Sequence, residues 1–93
     1  MPTKCGAYGT IQSPTNESKE ILTSNLNNLT SLHEKLNNLS LEHLLENHTF
    51  STQVVAGLNY KFSFVHNEHN VVIVIWRKLD NSFEVSLKEL RPL

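Results

Sequence analysis

Between Leu58 and His66 the chain alternates in polarity residue by residue. Tyr60, Phe62 and Phe64 fall on one face of an extended chain, and Asn59, Lys61 and Ser63 on the other. A period of two with aromatics on one side describes an antiparallel strand with one face buried and one wet. Such a strand has no stability alone and requires neighbours to pair with and a layer to cover its apolar face. The flanking sequence supplies both. Phe50, Val54 and Val55 lie in the stretch from Leu44 to Val55, Val71 to Leu79 is β-branched and aromatic, and Phe83, Val85 and Leu87 alternate again up to Leu90. The connectors are Gly57, His66-Asn67-Glu68-His69-Asn70 and Asp80-Asn81-Ser82, each rich in turn-forming residues. Residues 44–91 are thus expected to form an antiparallel meander.

The covering layer is written in leucine. Leu22, Leu26, Leu29, Leu32, Leu36 and Leu39 recur at three and four residues, the spacing of an amphipathic helix. Ser13 can cap it with Pro14 at the first helical position, or Thr15 or Asn16 can serve as the cap. One long helix over residues 14–39 is expected. Leu22, Leu29 and Leu36 are also seven apart, but the heptad runs for under three repeats, too short for a sustained coiled coil. Residues 1–13 hold two of the three glycines and little periodicity, and read as a flexible arm. The 93 residues therefore predict one α+β domain, a long helix packed on a four- to five-stranded antiparallel sheet.

Composition narrows the function classes. A net charge of -1 without a basic stripe argues against nucleic acid. The longest apolar run, Val71 to Trp76, is too short to span a membrane. One cysteine, Cys5, excludes an internal disulfide. Met1 to Pro14 lacks the apolar run of a secretory signal, so a cytoplasmic protein is expected, and the sequons at Asn16, Asn28, Asn38 and Asn47 are read as unmodified.

No set of residues reads as catalytic. Cys5 with one of the five histidines is a conceivable nucleophile–base pair, but no regular element holds Cys5 near a base. His66 and His69 flank Glu68 in a turn, two imidazoles where a metal site needs three or four ligands on a frame. No phosphate-binding loop is present. An enzyme is not expected, nor a cofactor or metal. An interaction scaffold with exposed loops suits the chain better.

One segment departs from the expected chemistry of a turn. Gln53-Val54-Val55-Ala56-Gly57 places two β-branched residues and an alanine at a hairpin tip. Exposed apolar residues on a tight turn mark a contact surface, and Gly57 supplies the backbone freedom to make it. From pattern alone, Val54 and Val55 read better as part of a buried strand.

The same five residues resemble the Gln-x-Val-x-Gly signature of the cystatin family. Asn59-Tyr60 follows and Phe50 precedes at the spacing found in stefins, the type 1 cystatins, and Cys5-Gly6-Ala7 resembles the stefin start. Membership implies a reversible, tight-binding competitive inhibitor of papain-like, cathepsin-type cysteine proteases, which enters the cleft as a wedge and offers no scissile bond. On that resemblance Cys5, Gly6 and Ala7 form an N-terminal trunk. Gln53, Val54, Val55, Ala56 and Gly57 form the first loop, and Leu79, Asp80, Asn81 and Ser82 the second. It also implies a monomer that can form a domain-swapped dimer by straightening the first loop, which would abolish inhibition. Asp80 and Asn81 depart from the Pro-His that stefins carry in the second loop. Trp76 falls where stefins have Phe, and reads as a core or sheet-face residue. A cystatin-fold interaction module that does not inhibit is the alternative.

Overall fold

The computed structural model describes residues 7–93. Four strands, β1 (His48–Val55), β2 (Gly57–His66), β3 (His69–Arg77) and β4 (Phe83–Pro92), pair antiparallel in the order β1-β2-β3-β4. This is the meander the alternation requires, with its start corrected. Leu44, expected at the head of the meander, lies in a helix, and the first strand begins at His48.

The register aligns the aromatic stripe. Phe50, Phe62, Ile73 and Leu87 lie in one row across the sheet, and Tyr60, Ile75 and Val85 in the next. Phe50, Tyr60, Phe62, Phe64, Val71, Ile73 and Ile75 are all buried on this inner face. The Tyr60 and Phe62 rings are nearly parallel with centroids 6.2 Å apart, and Phe50 and Phe62 lie at 6.0 Å. Each such side chain taken out of water contributes about 1.5–3 kcal/mol, so the row is the energetic centre of the domain.

The covering layer is not one long helix. It is α1 (Asn16–Ser24), α2 (Leu26–Thr30), a 3₁₀ turn (Glu34–Leu36) and α3 (Leu41–Glu46). The leucine period survives the breaks. Leu22, Leu29 and Leu36 are fully buried, and Leu32 and Leu39 pack beside them. What fails is the polar side of the pattern. Thr23, Thr30 and Ser31 hydroxyls donate to backbone carbonyls of Lys19, Asn27 and Asn28, and the buried Asn25 amide donates to the Ile21 carbonyl. Short polar side chains that bond nearby backbone compete with helix propagation, and they are dense here. Thr15, not Ser13, starts α1, in a reciprocal capping box with Ser18, and Pro14 lies outside the helix. Ser40 caps α3 through the His43 amide.

The arm is not loose throughout. Gln12 and Phe50 exchange both backbone hydrogen bonds, at 2.8 and 3.1 Å, and the Gly9 N–H donates to the Thr52 carbonyl. Residues 9–12 thus lie against the open side of β1, joined to it by an isolated bridge at Gln12–Phe50 and the Gly9 bond, outside the four-stranded sheet. The pairing advances along β1 from Phe50 to Thr52 as the arm is followed backwards, toward the β1–β2 turn.

Candidate functional site

The turn from β1 to β2 is as tight as a hairpin can be made. Val54 stands opposite Leu58 and Val55 opposite Gly57, leaving Ala56 at the tip. Gly57 has φ of +103°, in a region that side chains avoid. A Cβ at Gly57 would also collide with the Arg77 carbonyl oxygen and come within 3.1 Å of Lys78 Cα. The glycine therefore permits both the turn and the close approach of β3. Val54 is 67% exposed and Ala56 is exposed, while Val55 is half-buried.

The tip is braced from behind. The Trp76 indole N–H donates to the Ala56 carbonyl at 2.8 Å, tying β3 to the turn. The Asn59 amide donates to Gln53 Oε1 at 3.0 Å across the β1–β2 pair. Gln53, Asn59 and Trp76 occupy one row of the outer face. The Lys78 ammonium lies 5.2 Å from the Trp76 ring centroid, within cation–π range. Trp76 is thus a half-buried outer-face residue with a specific bond to the first loop. Sequence reading placed it in the core or on a sheet face and missed that bond, because only the strand register puts the indole beside Ala56.

The turn from β3 to β4 has different chemistry. The Lys78 N–H donates to the Ser82 carbonyl at 2.8 Å and the Asn81 N–H to the Lys78 carbonyl at 2.9 Å. Asn81 has φ of +69°, giving a three-residue hairpin loop closed by a left-handed residue. Asp80 Oδ1 accepts from the Ser82 N–H at 3.0 Å and from the Ser82 hydroxyl at 2.6 Å. Those two bonds hold the Asp80 carboxyl below the usual carboxylate range. Leu79 is 79% exposed at the crest.

Leu58 pairs with Arg77, so both turns sit at one end of the sheet. Gln53 through Gly57 and Leu79 through Ser82 are thereby brought to one edge of the molecule. Ala7 is exposed, and Cys5 and Gly6 lie outside the described residues.

The opposite, helix-covered side holds a buried polar pair. His48 Nδ1–H donates to the Leu44 carbonyl at 2.8 Å, and its Nε2 lies 2.9 Å from Ser18 Oγ. Burial pushes the His48 imidazole below its ordinary range. Ser18 is fully buried and its hydroxyl also contacts the Thr15 backbone, so the pair joins α1, α3 and β1. Nearby, the Tyr60 hydroxyl donates to Glu17, and burial with that carboxylate pushes the phenol up to about 12.

Among the described residues no group of three or more His, Cys, Asp or Glu side chains converges as a metal site would, and no helix is long and apolar enough to cross a membrane. His66 and His69 face each other across the Asn67–Glu68 turn, with His69 Nδ1–H donating to the Asn67 carbonyl. No family model, curated protein or solved structure matches the chain.

Proposed function

We propose that this chain is a reversible, tight-binding competitive inhibitor of papain-like cysteine proteases, acting through the edge formed by its two β-turns. The observation that carries the reading is the state of the Gln53–Gly57 segment. Both valines end β1, but neither is buried in the core. They flank a turn braced by Trp76, Asn59 and the Arg77 backbone, with Val54 presented to solvent. A preorganised apolar tip loses little conformational entropy on docking, and so retains most of the energy its contacts provide. The motif residues supply the protease class, and the tip supplies the mechanism. A closed, backbone-bonded turn filling a cleft blocks substrate without presenting an extended peptide for attack. Leu79 offers a second apolar contact beside the first, and Gly9 to Gln12 lie against β1 on the other side.

A second reading rests on Asp80. A carboxylate on the second crest, held charged by Ser82, suits a cleft with a basic rim, and a cystatin-fold interaction module without inhibitory activity would have that appearance. Titration of active-site-calibrated papain with the purified protein separates the two. Stoichiometric, reversible loss of activity, insensitive to EDTA and retained by Cys5→Ser, supports the inhibitor. Full papain activity at about 10 µM protein, well above any tight-binding range, overturns it and leaves the interaction module.

A further inference from the structure

The two edges of the sheet are treated differently. The β1 edge is covered by Gly9 to Gln12, whereas β4 pairs only with β3 and its other side is open among the described residues. An open edge strand is a template for another strand. We propose that β4 is a homodimer interface, pairing antiparallel with β4 of a second copy about a two-fold axis at Ser86.

The hydrogen-bond phase of the hairpin limits the register. Lys78 and Ser82 are a hydrogen-bonded pair, and pairs alternate along an antiparallel ladder. Arg77–Phe83, Ile75–Val85 and Ile73–Leu87 are therefore non-hydrogen-bonded pairs, in which the β4 residue turns its N–H and C=O away from β3. Phe83, Val85 and Leu87 present their backbone groups to the open edge, and only registers that join these residues to one another are allowed.

Charge selects among them. With the axis at Ser86, Val85 bonds Leu87 of the second copy, and Glu84 stands opposite Lys88 of the second copy, twice by symmetry. Moving the axis to Val85 sets both charges against serines, and moving it to Glu84 sets Glu84 against itself. Lys88 takes part in none of the ion pairs among the described residues, while Glu84 meets Lys78 of its own chain at 3.4 Å through one carboxylate oxygen and has the other for Lys88 of the second copy; Lys88 sits at the bulge where Val72 pairs Glu89 and Ile73 pairs Leu87. That bulge ends the regular edge, so the pairing is confined to residues 84–88. Charged residues on an edge ordinarily deter pairing; here they attract in one register, gain nothing in the second and repel in the third. The two-fold axis keeps both helical layers on the same side of a continuous sheet and points the two turn edges in opposite directions. Both protease-facing edges stay free, unlike in a dimer made by exchanging strands through the first loop.

Sedimentation velocity over a concentration series to about 1 mM tests this, since an interface of five residues per chain belongs to the weak, transient class. The expected result is rapid monomer–dimer exchange that forms without heating and reverses on dilution. Glu84→Lys and Lys88→Glu alone should each weaken association about tenfold or more, because each converts two attractive pairs into repulsive ones. Mixing the two variants should restore it as a heterodimer, since both cross-axis pairs then join opposite charges again, one in the original sense and one reversed. Circular dichroism of each variant confirms the fold. A protein monomeric throughout the series, or a dimer indifferent to the single substitutions, overturns the proposal, and neither outcome bears on papain inhibition.

Discussion

The two turns at one end of the sheet solve one geometric problem with opposite chemistry. The first reverses the chain through Val55-Ala56-Gly57 with no side-chain hydrogen bond inside the loop, and it is braced from outside, by Trp76 on another strand and by the Asn59–Gln53 bond behind it. The second is self-sufficient, with Asp80 accepting from both donors of Ser82 and Asn81 supplying the left-handed residue. A turn supported from outside leaves its own side chains free for a partner. A turn supported from within has committed its polar side chains to its own shape. In the proposed inhibitor the first would therefore be the dominant contact and the second an auxiliary one, and each half of that contrast can be tested by substitution.

The largest effect is expected at the left-handed positions. Gly57→Ala faces both an unfavourable φ and the Arg77 carbonyl, and should lower the unfolding free energy by about 3 kcal/mol in denaturant titration. Asn81→Gly, at a φ that asparagine tolerates and glycine favours, should change it by less than about 0.5 kcal/mol. Equal losses at both positions would show that the first turn is no more constrained than the second.

Binding should divide the tips next. Val54→Asp removes an exposed apolar contact at the centre of the proposed interface, and should weaken papain inhibition about 30-fold or more, equivalent to about 2 kcal/mol, with circular dichroism and melting unchanged. Leu79→Asp, on the auxiliary tip, should cost several-fold less. A larger loss at Leu79 would reverse the ranking of the loops. Trp76→Phe keeps the ring and removes the bond to Ala56, and should cost about 1 kcal/mol of stability. Its loss of affinity should appear mainly as faster dissociation, as a loosened tip predicts.

How legible all this was depends on which interaction carries the information. The sheet was legible because alternation is enforced by burial. Tyr60, Phe62 and Phe64 can share a face only in an extended chain, and the paired strands bury all three. The helical layer was half legible. Leucine spacing located Leu22, Leu29 and Leu36 in the core, but the backbone between them obeys Asn25, Ser31 and the capping residues Thr15 and Ser40, whose bonds are local. A hydrophobic period records which residues face the core and says little about whether the intervening turns are continuous. At the candidate site the sequence singles out Gln53 to Gly57 and gives no sign of the brace behind them. Gln53 to Gly57 are contiguous, whereas Trp76 meets Ala56 only through the register of two hairpins. The pairing of Gly9 and Gln12 with β1 was equally invisible, being made by backbone groups that any residues possess.

The smallest expected effect is a difference in how the two tips respond to acid. Asp80 is held below its ordinary range first by the Ser82 hydroxyl and then by the Ser82 amide, so the folded loop favours the charged carboxylate. A group with a depressed folded-state value stabilises the fold above its unfolded value and loses that contribution as the pH falls through the folded one. For Asp80 the window lies below the ordinary carboxylate value of 3.8. The side chain is fully exposed, so the consequence is local loosening of the second turn and not unfolding of the sheet. The first turn contains no titrating side chain between Gln53 and Gly57 and has no reason to respond in that window. Amide exchange and chemical shift followed by NMR from neutral pH into this range should show the Ser82 amide losing protection as Asp80 protonates, while the Trp76 indole proton keeps its bond to Ala56. Asp80→Asn, which accepts the same bonds without charge, should flatten the Ser82 response. If the indole proton moves together with the Ser82 amide, with the same midpoint and the same sensitivity to Asp80→Asn, the two turns are mechanically one unit and their separate assignments as dominant and auxiliary contacts fail.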